Sequence, residues 1–410
     1  MDKPYGFNSF PTEPVEMPPT WALLVALGFC FAALGFWAYI GLNLAAPVPR
    51  APRRSEKQYV TVLPDGQPSE RQELPCWIDK WSAEKEVAKQ KQKPKQKQRE
   101  PAGGAGVAPS DTAIEAADVF LSVVVPAYNE EDRLSGMLEE AVDYLQAEYG
   151  GAHAGEQDAE KRGATAAGWE ILVVSDGSTD ATVEKALDFA RSHQLSQHPV
   201  PTPGPWTPNP TRSGHTPHGS IRVISLEANR GKGGAVTHGM RHARGQYVVF
   251  ADADGASQFS DLGKLISGCK SVEDKLGRGV AIGSRAHLVG SEAVVKRSKL
   301  RNFLMHSFHL LLRLMTPAAT SRIADTQCGF KLFSRPALPY IIPYMHSEGW
   351  IFDVEMLMLA EFADIRMVEV AIGWKEVVGS KLNVVWDSLG MAWGLAVLRA
   401  AWALGVYTRD

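Results

Sequence analysis

Two aspartates one residue apart, Asp252 and Asp254, close the strand-like part of the stretch QYVVFADADGASQ at residues 246–258. The β-forming run Tyr247, Val248, Val249 and Phe250 reads as a buried strand that delivers both carboxylates before the Gly255 breaker. Carboxylates held this close repel unless a positive charge lies between them, and hard oxygen ligands at the end of a parallel strand suit Mg2+ or Mn2+ carrying a diphosphate. Asp-x-Asp alone more often marks a solvated surface loop, so the reading rests on what surrounds it. One neighbour is Asn229-Arg230-Gly231-Lys232-Gly233-Gly234, where glycines let a ligand approach the backbone between two cations; no G-K-[ST] ends the run, so it is not a P-loop. Two others, Tyr128-Asn129-Glu130 and Asp176-Gly177-Ser178, taken singly, read as turns that cap the helices after them.

The elements that must position these residues alternate. FLSVVV at 120–125 reads as an apolar strand stopped by Pro126, after which Leu134, Met137, Leu138, Ala141, Val142 and Leu145 recur at helical spacing. Glu170–Ser175 is a second strand, followed by a helix from about Asp180 with Val183, Ala186, Leu187 and Ala190 on one face. Ile221–Leu226 is a third, leading to a helix near Val236–Ala243, and the Tyr247 strand is the fourth. This α/β alternation predicts right-handed crossovers and a mainly parallel sheet, whose ligands bind beyond the carboxyl ends of the strands. Asn129, Asp176, Arg230 and Asp252 all fall there.

With 410 residues, 45% hydrophobic and 22% charged, the chain supports one large domain or two, and a net charge of −3 argues against a nucleic-acid partner. Cys30, Cys76, Cys269 and Cys328 form no C-x-x-C pair, so neither a disulfide framework nor a zinc site is supported, and a reducing compartment fits. Trp21–Ala46 holds 26 residues without a charge, enough for a transmembrane helix and longer than a signal-peptide core. Arg50, Arg53 and Arg54 beyond it place the remainder in the cytosol by the positive-inside rule. Residues 47–117, rich in proline and then in KEVAKQKQKPKQKQRE, read mostly as a flexible linker whose basic run is a solvated spacer or a lure for anionic lipid. The exception is LPCWID, whose Trp77 and Ile78 are expected on the globular domain. Insertions at Gly150–Gly168 and Gln194–Gly219 read as exposed loops. Ser298–Met315 is an amphipathic helix with Leu300, Phe303, Leu304, Ser307, Phe308, Leu311 and Leu312 on its apolar side, facing either the core or a membrane. The tail Val384–Tyr407, charged only at Asp387 and Arg399, is expected in the membrane interface.

The motifs VVVPAYNE, VVSDGSTD, NRGKGGA, ADADGA, AIGSRAHL, DTQCGFKLF and EGWIFDVEML, in this order and spacing, resemble the dolichyl-phosphate glucosyltransferases, within the family-2 inverting glycosyltransferases of GT-A fold. Dolichyl-phosphate mannosyltransferases share DTQCGFKLF; the N-terminal anchor, GSRAHL and Gly379-Ser380-Lys381-Leu382 point to the glucosyl branch. Two departures stand out: Ser175, where the family usually has a second aspartate, and Glu348-Gly349-Trp350, where an arginine commonly precedes the tryptophan. The resemblance implies a GT-A type sheet with flanking helices, arranged as a luminal N-terminus (1–20), a transmembrane helix (21–46), a cytosolic linker (47–117), the transferase domain (118–383) and a membrane-interfacial helix (384–410).

It also implies that UDP-glucose lies across the strand ends, with Pro126, Tyr128, Glu130 and Asp176 near uridine, Arg230 and Lys232 beside them, and Asp252 and Asp254 at a Mg2+ or Mn2+ ion and the diphosphate. Asp325 would orient the glucose or steady positive character at C1. The implied product is dolichyl β-D-glucosyl phosphate for N-glycan precursor assembly, made at the endoplasmic reticulum membrane by a single-pass protein facing the cytosol, with membrane lipids as partners and no nucleic acid. The alternatives are a mannosyltransferase using GDP-mannose and a non-catalytic UDP-sugar-binding scaffold. For the acceptor phosphate, Arg297 and Arg301 lie four apart at the start of a helix, where cations oppose the dipole and a bound anion is expected, and Arg285 ends the GSR strand close by.

Overall fold

The computed structural model describes residues 20–96, 114–150, 166–211, 214–288, 307, 310–379 and 384–409. Chain contacts divide it into two units, one of residues 1–46 with 400–408 and 410, the other of residues 47–399 with 409. In the first, Thr20–Ala45 is a 26-residue helix without a charged side chain, long and apolar enough to cross a membrane.

In the second unit the described residues form one sheet of nine strands: β1 (Gln58–Val60), β2 (Gln72–Glu73), β3 (Val119–Ala127), β4 (Trp169–Ser175), β5 (Ile221–Ser225), β6 (Gly245–Ala251), β7 (Val280–Ser284), β8 (Phe330–Ser334) and β9 (Met367–Ala371). Their order is β2-β1-β5-β4-β3-β6-β8-β7-β9. The four strands expected from the sequence, β5-β4-β3-β6, are all parallel. Their apolar runs are continuous rather than alternating because both faces are covered; Val123 and Val124, neighbours that point to opposite faces, are both fully buried. The chain winds outward from β3 through β4 to β5 and then returns to lay β6 on the other side of β3. At such a reversal the loops after the two adjacent strands part and leave a crevice, here between the turn at Asn129 and the turn at Asp252.

Several expectations shift. Pro126 does not stop β3: pairing to β6 ends at Val124↔Phe250, but pairing to β4 continues to Ala127↔Ser175, so the residue without an N–H lies where only one neighbour remains. The helix placed from Asp180 is Thr182–Leu195, with the Asp180 carboxylate accepting the Thr182 N–H at 3.0 Å, and the one placed near Val236 begins at Lys232, inside the glycine run. β8 enters antiparallel between β6 and β7.

The linker reading of 47–117 gives way over much of its length. β1 pairs antiparallel with β5 and covers its edge, and Trp77–Gln96 is a helix whose Trp77 and Ile78 are buried, with the Trp77 Nε1–H donating to the Met240 carbonyl at 2.8 Å. Buried Glu56 pairs with Arg50 and accepts the N–H groups of Arg53 and Glu227 at 2.8 and 3.0 Å. Residues 97–113 lie outside the described residues, as do 1–19. The Gln194–Gly219 insertion is strapped down rather than loose: Glu139 accepts the Thr202 N–H at 2.8 Å, and Thr216 is fully buried. Most of Gly150–Gly168 and of Ser298–Met315 falls outside the described residues, as do Arg297 and Arg301; at 310–315 the chain is helical with Leu312 buried and Leu310 and Leu314 exposed. Helix Val384–Ala403 buries Met391, Leu395 and Leu398 and exposes Trp386, Leu389 and Trp393.

Candidate active site

The turn after β6 carries the two aspartates in different company. The Asp252 N–H donates to the Gly329 carbonyl at 3.1 Å, and Asp252 Oδ1 lies 2.6 Å from Lys232 Nζ, a close ion pair without hydrogen-bond alignment that leaves this buried oxygen without an aligned donor. Asp254 Oδ1 accepts the Ala256 N–H at 3.0 Å, and Oδ2 stands 3.8 Å from Arg133, whose guanidinium is held in a fork by Glu130 at 2.6 and 2.7 Å. Burial raises the Asp254 carboxyl above the ordinary range, and the neighbouring Asp252 charge pushes the same way. Burial works against the Lys232 ammonium, yet Asp252 and Asp353 outweigh it and hold the lysine above its usual range. A Cβ on Gly329 would fall within the Asp252 carboxylate, so this glycine is what lets the β8 turn approach.

The structure brings the predicted nucleotide side to the same strand ends, with a division of labour that spacing alone did not reveal. Asp176 is buried and accepts the N–H groups of Arg230 and Gly231 at 2.7 and 2.9 Å; burial nevertheless raises it to about 6. It therefore shapes the glycine-rich loop. Asn129, at φ 53, accepts the Thr179 N–H at 2.8 Å and ties the β3 turn to the β4 turn. Pro126 and Tyr128 lie at the rim, Tyr128 40% exposed. The Arg230 guanidinium pairs with Glu348 and donates to the Arg50 carbonyl at 2.9 Å.

Asp325 and Arg285, read from the sequence as a sugar-side carboxylate and an acceptor-phosphate cation, form one unit. Arg285 donates through its backbone N–H, Nε and Nη2 to the two Asp325 oxygens at 2.9, 2.7 and 2.8 Å, while Glu369 accepts the Asp325 N–H at 2.9 Å. The Arg285 fork engages a carboxylate, the geometry a planar guanidinium favours most, so a contact with an acceptor phosphate would have to be shared with Asp325. Burial would raise Asp325, but Arg285 overrides it and holds the carboxyl below its usual range. Arg285 also sits over the Trp374 ring at 5.5 Å.

Sequence reasoning missed Arg133, Lys331 and Asp353, and singled out Glu348 without its pairing to Arg230. Lys331 is fully buried in β8, donates to the Cys328 carbonyl at 2.7 Å and pairs with Asp353. The signal was the charge in the middle of the apolar run FKLF, which is costly to bury unless paired.

Among the described residues no cluster of three or more His, Cys, Asp or Glu side chains could hold a metal by itself. The Asp252–Asp254 pair fits an ion that completes its shell with diphosphate oxygens and water: one buried oxygen lacks an aligned donor, and the two charges disfavour each other until a cation joins them.

Comparison with known proteins gives the family. Residues 122–200 and 207–339 match the family described as Glycosyl transferase family 2. The dolichyl-phosphate beta-glucosyltransferase of Saccharomyces cerevisiae is 42% identical over 71% of this chain and 77% of its own, that of Drosophila melanogaster 41% over 70% and 76%, and that of Homo sapiens 37% over 70% and 77%. A glucosyl-3-phosphoglycerate synthase from Mycobacterium tuberculosis, solved with Mg2+ and UDP, aligns over 71% of this chain and 86% of that one at 17% identity and TM-score 0.42, a likeness too slight to carry an argument about this site. On the family match and the identity to these relatives, the chain belongs to glycosyl transferase family 2, among the dolichyl-phosphate beta-glucosyltransferases.

Proposed function

We propose that this protein transfers glucose from UDP-glucose to dolichyl phosphate with inversion at C1, giving dolichyl β-D-glucosyl phosphate. The observation that carries the reading is the pair of incompletely matched carboxylates, Asp252 and Asp254, at the β3/β6 crevice of a chain whose relatives bear that enzyme's name. Pro126, Tyr128, Glu130 and Asp176 would border the uridine, Glu130 and Asp176 acting through Arg133 and the 229–231 loop. Arg133, Lys232 and Arg230 supply positive charge to the diphosphate side. A Mg2+ or Mn2+ ion held by Asp252 and Asp254 would neutralise charge on the departing UDP.

The acceptor oxygen is already anionic at neutral pH, so no side chain has to remove a proton. The new bond joins C1 to that oxygen as the bond from C1 to the UDP β-phosphate breaks, its electron pair leaving with UDP. Asp325, fixed as an anion by Arg285, suits the stabilisation of positive character at C1 and does not suit general-base work. Arg297 and Arg301 remain the proposed ligands of the lipid phosphate.

We assign the protein to the endoplasmic reticulum membrane, with Thr20–Ala45 as its single span, the sheet unit in the cytosol and the Trp386, Leu389 and Trp393 side of the last helix in the interface. The test is incubation of the purified protein with dolichyl phosphate and either UDP-glucose or GDP-mannose. Glycolipid from UDP-glucose alone is expected. Product from GDP-mannose instead would make it a mannosyltransferase, and none from either would leave a sugar-nucleotide-binding scaffold.

A further inference from the structure

The Gln194–Gly219 insertion meets the aspartate turn at Gly255. Residues 203–207 fold into a small turn closed by the Gly204 N–H donating to the Thr207 carbonyl at 3.1 Å. Its far side is fastened to helix Leu134–Tyr149, where Glu140 Oε1 accepts the N–H groups of Trp206 and Thr207 at 2.6 and 3.0 Å. Its near side meets Gly255, the residue after Asp254: the Trp206 indole N–H donates to the Gly255 carbonyl at 3.1 Å, and a Cβ on Gly255 would lie 3.2 Å from the Pro205 ring. Gly255 has φ +69, so its peptide is turned as few other residues would allow, and its carbonyl needs a donor to keep that orientation.

The other wall is Trp374-Lys375. Lys375 Nζ sits 4.2 Å from the Trp206 ring centroid and donates to the Pro205 carbonyl at 3.2 Å, while the Lys375 N–H donates to Ala256 at 2.9 Å. A Cβ on Gly373 would come within 3.0 Å of the Trp206 ring. The 254–258 turn is therefore held between two walls, and Trp206 bonds to one end of it.

We infer that Trp206 is a positioning residue for the metal-binding carboxylates: its indole N–H, braced by Glu140 and Lys375, fixes the peptide after Asp254 and so sets how tightly a divalent ion is held there. The inference rests on the metal role given above to Asp252 and Asp254. Trp206 touches neither donor nor acceptor in this account and acts only through the Gly255 carbonyl.

Trp206→Phe keeps an aromatic ring against Lys375 and Gly373 and deletes the donor. Calorimetric titration of the full-length protein with UDP across a series of Mn2+ concentrations should show the metal midpoint rising about three- to tenfold, the size of one lost neutral hydrogen bond, with metal-free UDP binding unchanged. Glu140→Gln, which loosens the far side of the strap and leaves the indole in place, should move the midpoint the same way by less. Both variants should melt close to wild type. A wild-type metal midpoint in both would overturn the inference. So would a weakening of UDP binding that is equal with and without metal, the mark of a general loss of structure. The titration needs no acceptor: a protein that made no glycolipid yet shifted its midpoint in Trp206→Phe would sink the transferase reading and support the positioning role.

Discussion

A fully buried carboxylate and a partly exposed pair occupy opposite ends of the same parallel strands, and they are treated differently. At the amino ends Glu170 is fully buried, and every direction around it is answered: Ser122 donates at 2.6 Å, the Arg244 N–H and Nε at 2.9 Å each, and Arg222 at 3.2 Å. At the carboxyl ends Asp252 has a lysine at contact distance without alignment, and Asp254 has one backbone N–H and a guanidinium at 3.8 Å. The first group locks strand to strand. The second is left in deficit, and a deficit inside a crevice is where a cationic ligand gains most.

The largest effect should come from the deficient group. Asp254→Asn is expected to remove transfer, by about 10³ or more, together with the metal dependence of UDP binding, because an amide brings no charge to the ion. Calorimetry with and without Mn2+ checks it, and unaltered metal dependence would take Asp254 out of the site. Next comes the saturated group. Glu170→Gln leaves Arg244 and Arg222 facing a neutral amide and should cost about 3 kcal/mol of stability in urea unfolding, while the protein that remains folded turns over normally. A stable Glu170→Gln enzyme with altered kinetics would erase the contrast.

Arg285→Lys lies between the two groups in character. It keeps the charge but loses the fork on Asp325, and a fall in kcat of about tenfold with both KM values within a few-fold is expected of a residue that orients a transition-state group. A rise confined to the KM of dolichyl phosphate would return Arg285 to the acceptor. The smallest effect asks whether the acid limit belongs to the fold or to the site. Burial, with Arg241 beside them, keeps His238 and His242 neutral, with pKa values lowered to about 3 and about 4. The unfolded chain takes up those protons near 6.5 while the folded chain does not, so stability is full above that value and declines as pH falls toward 4. Glu56, Pro75, Asp79, Lys57 and Arg230 are the other groups facing the pair. His242→Gln should flatten the stability profile between pH 6.5 and 4 without moving the pH dependence of kcat; a shifted kcat profile would tie the pair to catalysis.

The strand-end motifs were legible because each depends on a local pattern: an apolar run, then a turn carrying the chemistry, as in VVSDGS and VVFADADG. What stayed hidden pairs residues far apart in the chain. Nothing near Arg53 announces Glu227, and nothing near Arg285 announces Asp325, so the post-anchor segment read as spacer and the Arg285–Asp325 pair went unseen. Composition misled at 79–96: Trp77 and Ile78 are expected on the domain, but the lysines and glutamines after them conceal that both begin a helix running to Gln96 in which Trp81 is buried as well. It misled again at Trp206, where proline richness reads as looseness although prolines here fit a packed turn. The antiparallel entry of β8 has no local signature, because FKLF would suit either direction.

The approach of Gly329 to Asp252 has a consequence for what variation the protein can accept. A single methyl at that position and the carboxylate would claim the same volume, so Gly329→Ala forces the Asp252 carboxylate out of its place without itself adding charge or polarity. In a library covering every single substitution, position 329 should therefore be as sparsely populated as 252 and 254. A residue with no functional group would then trace the outline of the site as sharply as those that do the chemistry.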